Sequence, residues 1–430
     1  MSKGIGVGLI GLGTVGGGVV KLLNDSPLAM QRRKHVKFDL RSVAVRDPGK
    51  PRSVPLDGVV VTDDAMKVVD DPEVQVVVEL TGAPPAYEWI RTALERGKDV
   101  VTANKAVIAE HGEELFHIAL DRQVELMFEA SVAAGIPIIR SLRTGLVANK
   151  VESLYGILNG TTNYILTRMT RGEGAYAEIL ADAQAEGYAE PDPTMDVSGM
   201  DAAQKLSILS RIAFHTNGTA ADFYCEGIEA IEPGDIEYAR ELGYTIKLLA
   251  IAKRAGDRIE ARVHPAMIRS ESLLANIHNE FNAIEVVGSA VGTQVFYGRG
   301  AGEMPTASAV VADMVELAER KAAGAGSAIG DMVVEEGGAF GDINQSELRY
   351  YLSLLVKDHP GVLEQIARIL AAEKISISSV IQKERDLQGG SVPLILLTHE
   401  AVEKSVRTAL AAAQKLDVVE KTRFIRMEEL

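Results

Sequence analysis

The stretch Gly187–Lys205 sets four carboxylates, Glu190, Asp192, Asp196 and Asp201, and one lysine, Lys205, around two prolines and a glycine. The prolines fix the backbone ahead of a helix expected to open near Gly199–Met200. On that helix Asp201 and Lys205 fall one turn apart on a single face. Such a set can hold an ammonium group with carboxylates while presenting one cationic proton donor beside it. A capped, solvated helix start with an ordinary ion pair has the same spacing.

A second chemical signal opens the chain. Ile5–Ile10 reads as a short buried strand, followed by Gly11-Leu-Gly13-Thr14-Val15-Gly16-Gly-Gly18 and a helix over Val19–Asn24. Strand, glycine turn and helix give G-x-G-x-x-G its meaning: Gly11 for the turn, Gly13 for close approach of a pyrophosphate, Gly16 for helix–strand packing. The helix N-terminus, with Thr14 and Val15, offers N–H groups to the phosphates. A strand at Phe38–Val45 ends in Arg46-Asp47. An acid there suits the ribose hydroxyl of NAD and an arginine the phosphate of NADP, so Arg46 tilts the expectation towards NADP. Further strands at Val74–Leu80 and Asp99–Thr102, with a helix at Tyr87–Glu95, extend a parallel sheet. Thr81-Gly82 and Lys105 then lie just past strand ends, on the edge where such sheets receive ligands, with the next helix expected at Glu113–Asp121. Leu126–Ala130 is one more strand. The small residues Ser131–Pro137 leave carbonyls that suit a monovalent cation, or form a plain strand-to-helix turn.

These residues need a frame. At 430 residues the chain should hold two or three domains. A net charge of −15 argues against nucleic-acid or anionic-membrane partners. The single cysteine, Cys225, rules out an intrachain disulfide and fits a reducing compartment. No leader pattern or membrane-length apolar run is read, so the expected location is cytoplasmic. No histidine or cysteine spacing suits a transition metal. Strands and helices alternate from Val151 to Tyr297, and Gly300–Ser308 leads into an amphipathic helix ending near Ala322, with Gly302 free to approach a cofactor. That late helix is expected to return to the first domain. Gly324–Glu347 reads as a linker. Beyond it, a β-α-β-β-α-β order with a turn at Leu387–Gly390 specifies a ferredoxin-like sheet, expected to be an appended unit whose removal spares activity. The fold class is therefore α/β: a Rossmann-type dinucleotide-binding domain (1–135 plus 303–325), an α+β catalytic and dimerisation domain (136–302), a linker (326–347) and the ferredoxin-like module (348–430).

The chain resembles the homoserine dehydrogenases, and its last part resembles an ACT domain. The resemblance rests on the run from Ala183 to Lys205, on Val101–Lys105, on Glu129–Gly135, on Asn159–Asn163 and on Gly300–Val310; for the ACT domain it rests on Asp358–Leu363. It implies NAD(P)-dependent interconversion of L-aspartate 4-semialdehyde and L-homoserine, a step towards threonine and methionine, by a monofunctional enzyme. Carried over by position, Lys205 would donate the proton and Lys105 would share that duty and touch the cofactor. Glu190 and Asp196 would bind the substrate's amino group, and Asp201 would orient Lys205. Carbonyls around Glu129, Val132, Ala134 and Ile136 would hold sodium. The ACT domain implies an amino-acid effector, threonine, and the family a homodimer or homotetramer. Two rivals stand against this: a semialdehyde dehydrogenase, which needs a thiolate that only Cys225 could supply, and a nucleotide or amino-acid sensor without catalysis.

Overall fold

The computed structural model describes residues 4–25, 34, 36–334, 338, 340–383 and 390–430. Its contacts divide into two units: Met1–Gly160, Asp201–Asp222 and Glu280–Ala339 form the first, and Thr161–Met200, Phe223–Asn279 and Phe340–Leu430 the second.

The first unit is built on a six-stranded sheet: β1 (Ile5–Ile10), β2 (Phe38–Ala44), β3 (Val60–Thr62), β4 (Val76–Glu79), β5 (Asp99–Thr102) and β6 (Leu126–Met127), in the order β3-β2-β1-β4-β5-β6. All its pairings are parallel, and the order reverses beside β1, where doubly wound sheets take dinucleotides. β4 and β5 are buried along their whole length, as expected of parallel strands covered on both faces. Helices α1 (Thr14–Asp25), α2 (Ala65–Asp70), α3 (Ala86–Glu95) and α4 (Lys105–Arg122) make the crossovers. The late helix, Glu303–Ala322, joins the same core: Val310, Met314 and Leu317 share a cluster with Val7, Leu9 and Val19. A Cβ at Gly18 would stand 2.9 Å from that of Ala307, so this glycine lets the two helices touch. Three antiparallel strands of a larger sheet also belong to this unit, with Phe281–Gly288 between Val151–Ile157 and Gly292–Arg299.

Two expectations need correction here. Helix α4 opens at Lys105, not Glu113, because the Asn104 side chain caps it by accepting from Val107 N at 3.2 Å. The sixth strand stops at Met127 rather than Ala130. Glu129 N turns away to Asp313 at 2.9 Å, and Glu129–Ser131 winds into a 3-10 turn.

In the second unit Tyr244–Ala255 and Arg258–Arg269 pair antiparallel along all their residues. The βαββαβ module is present, with strands Glu347–Lys357, Ile377–Ile381, Ser391–Thr398 and Val419–Glu428. Helices Val362–Ala372 and Glu403–Ala413 bury Val362, Ile366, Leu370, Val406 and Leu410 in one cluster with that sheet. The expected turn at Leu387–Gly390 lies outside the described residues, apart from Gly390. The module is not an appendage. Its last strand runs parallel to Arg258–Arg269, with Ala266 opposite Arg426. Arg262 of that strand is fully buried and ion-pairs with Glu428 at 2.7 Å. Residues 326–334, in the span read as linker, are tied down as well: Ala328 N donates to Glu125 at 2.9 Å and Ile329 is fully buried.

Candidate active site

Three charged side chains meet in the first unit. Helix Met200–Phe214 carries Asp201 and Lys205 one turn apart, and Lys205 Nζ lies 2.7 Å from Asp201 Oδ2. The other carboxylate oxygen, Oδ1, faces Lys105 Nζ at 3.0 Å. Lys205 Nζ also donates to Leu158 O at 2.8 Å, and Asn159 Nδ2 donates to Asp201 Oδ2 at 2.9 Å. Burial alone would raise the Asp201 carboxyl. The Lys205 and Lys105 ammonium groups, with hydrogen bonds from Lys205 and Asn159, outweigh it and hold the group well below the usual carboxylate range. One carboxylate therefore sets two ammonium groups side by side. Each ammonium has three donors, and Lys205 commits two of them here. The pair can deliver a proton and stabilise a developing alkoxide.

The cofactor end lies in the same unit. A Cβ at Gly13 would meet nothing within 4 Å, leaving room for a pyrophosphate above the α1 N-terminus. Gly11 has φ +100 and its Cβ direction points at Thr81 Cγ2, 2.8 Å away, so turn and strand end pack together. Thr81 Oγ1 accepts from Ala83 N at 3.0 Å, shaping the turn through Gly82, whose φ is +61. Arg46 is exposed at the end of β2. Its neighbour Asp47 turns a carboxylate oxygen back to Gly49 N at 2.9 Å. Arg52, missed by sequence reasoning, donates to Asp47 O at 2.6 Å and reaches Leu12 O in the glycine turn at 3.5 Å. Gly302, with φ +124, precedes helix Glu303–Ala322.

The loop after β6 is held from both sides. Glu129 accepts from Ile139 N and Arg140 N at 2.9 and 2.8 Å, while Asp313 accepts from Glu129 N. Burial and the Glu129 charge push the Asp313 carboxyl well above its usual value. Within the loop, Ile136 N donates to Ala133 O and Ile136 O accepts from Ile138 N, both at 2.7 Å. Among the described residues no group of three or more His, Cys, Asp or Glu side chains is placed to hold a metal ion, and no helix is long and apolar enough to cross a membrane.

Glu190 and Asp196 belong to the second unit. Glu190 is exposed, its carbonyl accepting from Gln184 at 3.1 Å. Asp196 is held by Thr161 Oγ1 at 3.1 Å, and the same hydroxyl reaches Tyr188 O at 2.9 Å. Cys225 donates to Ser198 O at 3.3 Å, and burial with the Glu226 charge pushes its thiol up to about 11. A thiol so raised is a poor nucleophile, which counts against a thiolate acting in an acyl-enzyme mechanism.

Family models match three spans: "Homoserine dehydrogenase, NAD binding domain" over residues 11–129, "Homoserine dehydrogenase" over 137–315 and "ACT domain" over 350–415. A homoserine dehydrogenase of Pseudomonas aeruginosa is 43% identical over 97% of both chains. One from Neisseria gonorrhoeae is 42% identical over 100% of this chain and 99% of its own. The crystal structure of a homoserine dehydrogenase from Thiobacillus denitrificans superposes with a TM-score of 0.93 at 44% identity, covering 99% of each chain.

Proposed function

Because the chain belongs to the homoserine dehydrogenase family, an oxidoreductase family acting on a CH–OH group, we propose that Lys205 is its proton donor. The substrate pair is L-aspartate 4-semialdehyde and L-homoserine, on the route to threonine and methionine. A bound nicotinamide supplies or accepts the hydride. Lys205 gives the aldehyde oxygen its proton, and Lys105 adds a second positive charge beside the forming alkoxide. Asp201 holds and aims both amines. Glu190 and Asp196 take the substrate's ammonium group, which needs carboxylates. The observation that supports this reading is the shared Asp201 carboxylate, 2.7 Å from one ammonium and 3.0 Å from the other. A catalytically silent sensor has no use for such a pair.

NADP is the favoured cofactor. The loop from Arg46 to Arg52 has three cations, Arg46, Lys50 and Arg52, against one acid, and that acid spends an oxygen on its own turn. A cationic loop suits a phosphate better than a ribose diol. Sodium binds the carbonyls of the loop after β6. The ACT module takes threonine in the cavity of about 440 Å³ lined by Lys357–Val362, Gln382 and Lys383, and subunits associate as a homodimer or homotetramer. Titrating the full-length protein with threonine while following NADPH consumption tests that control.

The central test follows NADPH consumption with aspartate semialdehyde. Lys205→Ala should lower turnover by about 10²–10⁴ while NADPH binding is retained. Near-wild-type turnover would remove Lys205 from the mechanism.

A further inference from the structure

Glu79 ends β4 with no exposed surface, in a strand otherwise made of valines. Its partners are neutral. Oε1 accepts from both Thr81 N and Thr81 Oγ1 at 2.7 Å, and Oε2 accepts from Thr102 Oγ1 at 2.8 Å. Glu79 and Thr102 stand opposite each other in the β4–β5 register, each the last residue of its strand. Burying a carboxylate among neutral donors is costly, and an apolar residue of similar volume would stabilise the strand better. A carboxylate is, however, the side chain whose two oxygens can accept from two strand ends at once.

Both arms lead to the site. On one side, Thr81 Oγ1 passes to Ala83 N and fixes the Gly82 turn. On the other, Thr102 Oγ1 accepts from Asn104 N at 3.0 Å; Asn104 caps α4, and the first residue of α4 is Lys105. Lys105 then reaches Asp201.

We propose that Glu79 is a positioning residue that sets the two halves of the reaction centre together: the cofactor turn through Thr81, and the Lys105 ammonium through Thr102 and Asn104. This rests on the roles proposed above for Lys105 and Thr81–Gly82. It also gives the conformation of each strand end a common reference, so that cofactor and lysine are aligned by one side chain.

The arms can be separated in the full-length protein, reading NADPH dissociation constants by fluorescence without substrate and kcat with saturating cofactor. Thr102→Val should lower kcat about tenfold and leave the NADPH constant within about twofold. Thr81→Val should raise the NADPH constant about tenfold, with kcat changed less than about threefold. Glu79→Gln keeps one oxygen for Thr81 but turns a donor towards Thr102, so it should follow the Thr102→Val pattern. Glu79→Leu should show both losses. A soluble Glu79→Gln with wild-type kcat overturns the proposal. So does Thr102→Val moving kcat and the NADPH constant equally, which is what mere loss of structure gives. If the wild-type protein does not consume NADPH with aspartate semialdehyde, the underlying functional reading fails instead, and the binding arm still reports on Thr81.

Discussion

At the scale of single residues, the chemistry depends on how charges are buried. Asp201 lies between two amines that satisfy it, so a nearly inaccessible carboxylate stays ionised. Lys247 shows the opposite arrangement. It is 2% exposed, and its Nζ donates to Asn163 Oδ1 at 2.9 Å and to Ile277 O, both neutral. Burial, with Arg171 adding repulsion, pushes its amine down to about 7; His278 is lowered by burial and by the same two cations. An unfolded lysine stays protonated to about 10.4. Between about pH 7 and 10 the unfolded chain therefore binds more protons than the folded one, and this residue makes stability rise with pH across that window. Below pH 7 both states are protonated and the contribution is flat. Lys247→Met should remove the rise. Denaturant midpoints at pH 6.5, 8 and 9.5 measure it, and equal slopes in both proteins would count against the assignment.

Elements decide which of these residues could be recognised beforehand. Asp201 and Lys205 were legible because a helix brings i and i+4 together by its own geometry. Lys105 was legible because it follows an apolar strand; the start of its helix was not, because Gly112 interrupts the helical pattern and the Asn104 cap is a side-chain contact. Asn159, Glu79 and Arg52 were not legible as partners. They act across 42, 23 and 40 residues respectively, and no local period records such contacts. The strand pairing of Arg258–Arg269 with the C-terminal strand was hidden for the same reason. Loop packing behaves likewise. Ala134 N and Gly135 N donate to Gly300 O and Arg299 O at 3.0 Å, docking the loop after β6 on the end of the hairpin. A methyl group at Gly300 would overlap the carboxamide of Asn282, itself 2% exposed. Gly300→Ala should thus cost about 1–3 kcal/mol of stability. A thermal melt checks this, and an unchanged midpoint would mean that Asn282 moves without penalty.

For the whole molecule, the question is whether the ACT module can be removed. A βαββαβ unit of its size could fold alone, which is why sequence reasoning expected truncation to spare activity. The second unit argues otherwise. Arg262 pairs with Glu260 and Glu428 at 2.7 Å, and Arg426 pairs with Glu226 at 2.7 Å and Glu403 at 2.6 Å, with both arginines about 99% buried. Tyr350 completes the set through Glu403 at 3.0 Å. Cutting after Asp342 strips Arg262 of one carboxylate and exposes the strand edge at Ala266–Ile268. Breaking one buried pair costs about 3–5 kcal/mol, and an unpaired edge invites association. The truncated chain should melt well below the full protein and aggregate on size-exclusion chromatography. A double variant, Arg262→Met with Glu428→Met in the full chain, should lose far less, because an apolar pair of similar volume replaces the two buried ions and Glu260, only half-buried, keeps Lys253 at 3.5 Å. If the truncated chain instead runs as a single species with an unaltered melt, the strand pairing does not hold the module in place and the rest of the second unit folds without it.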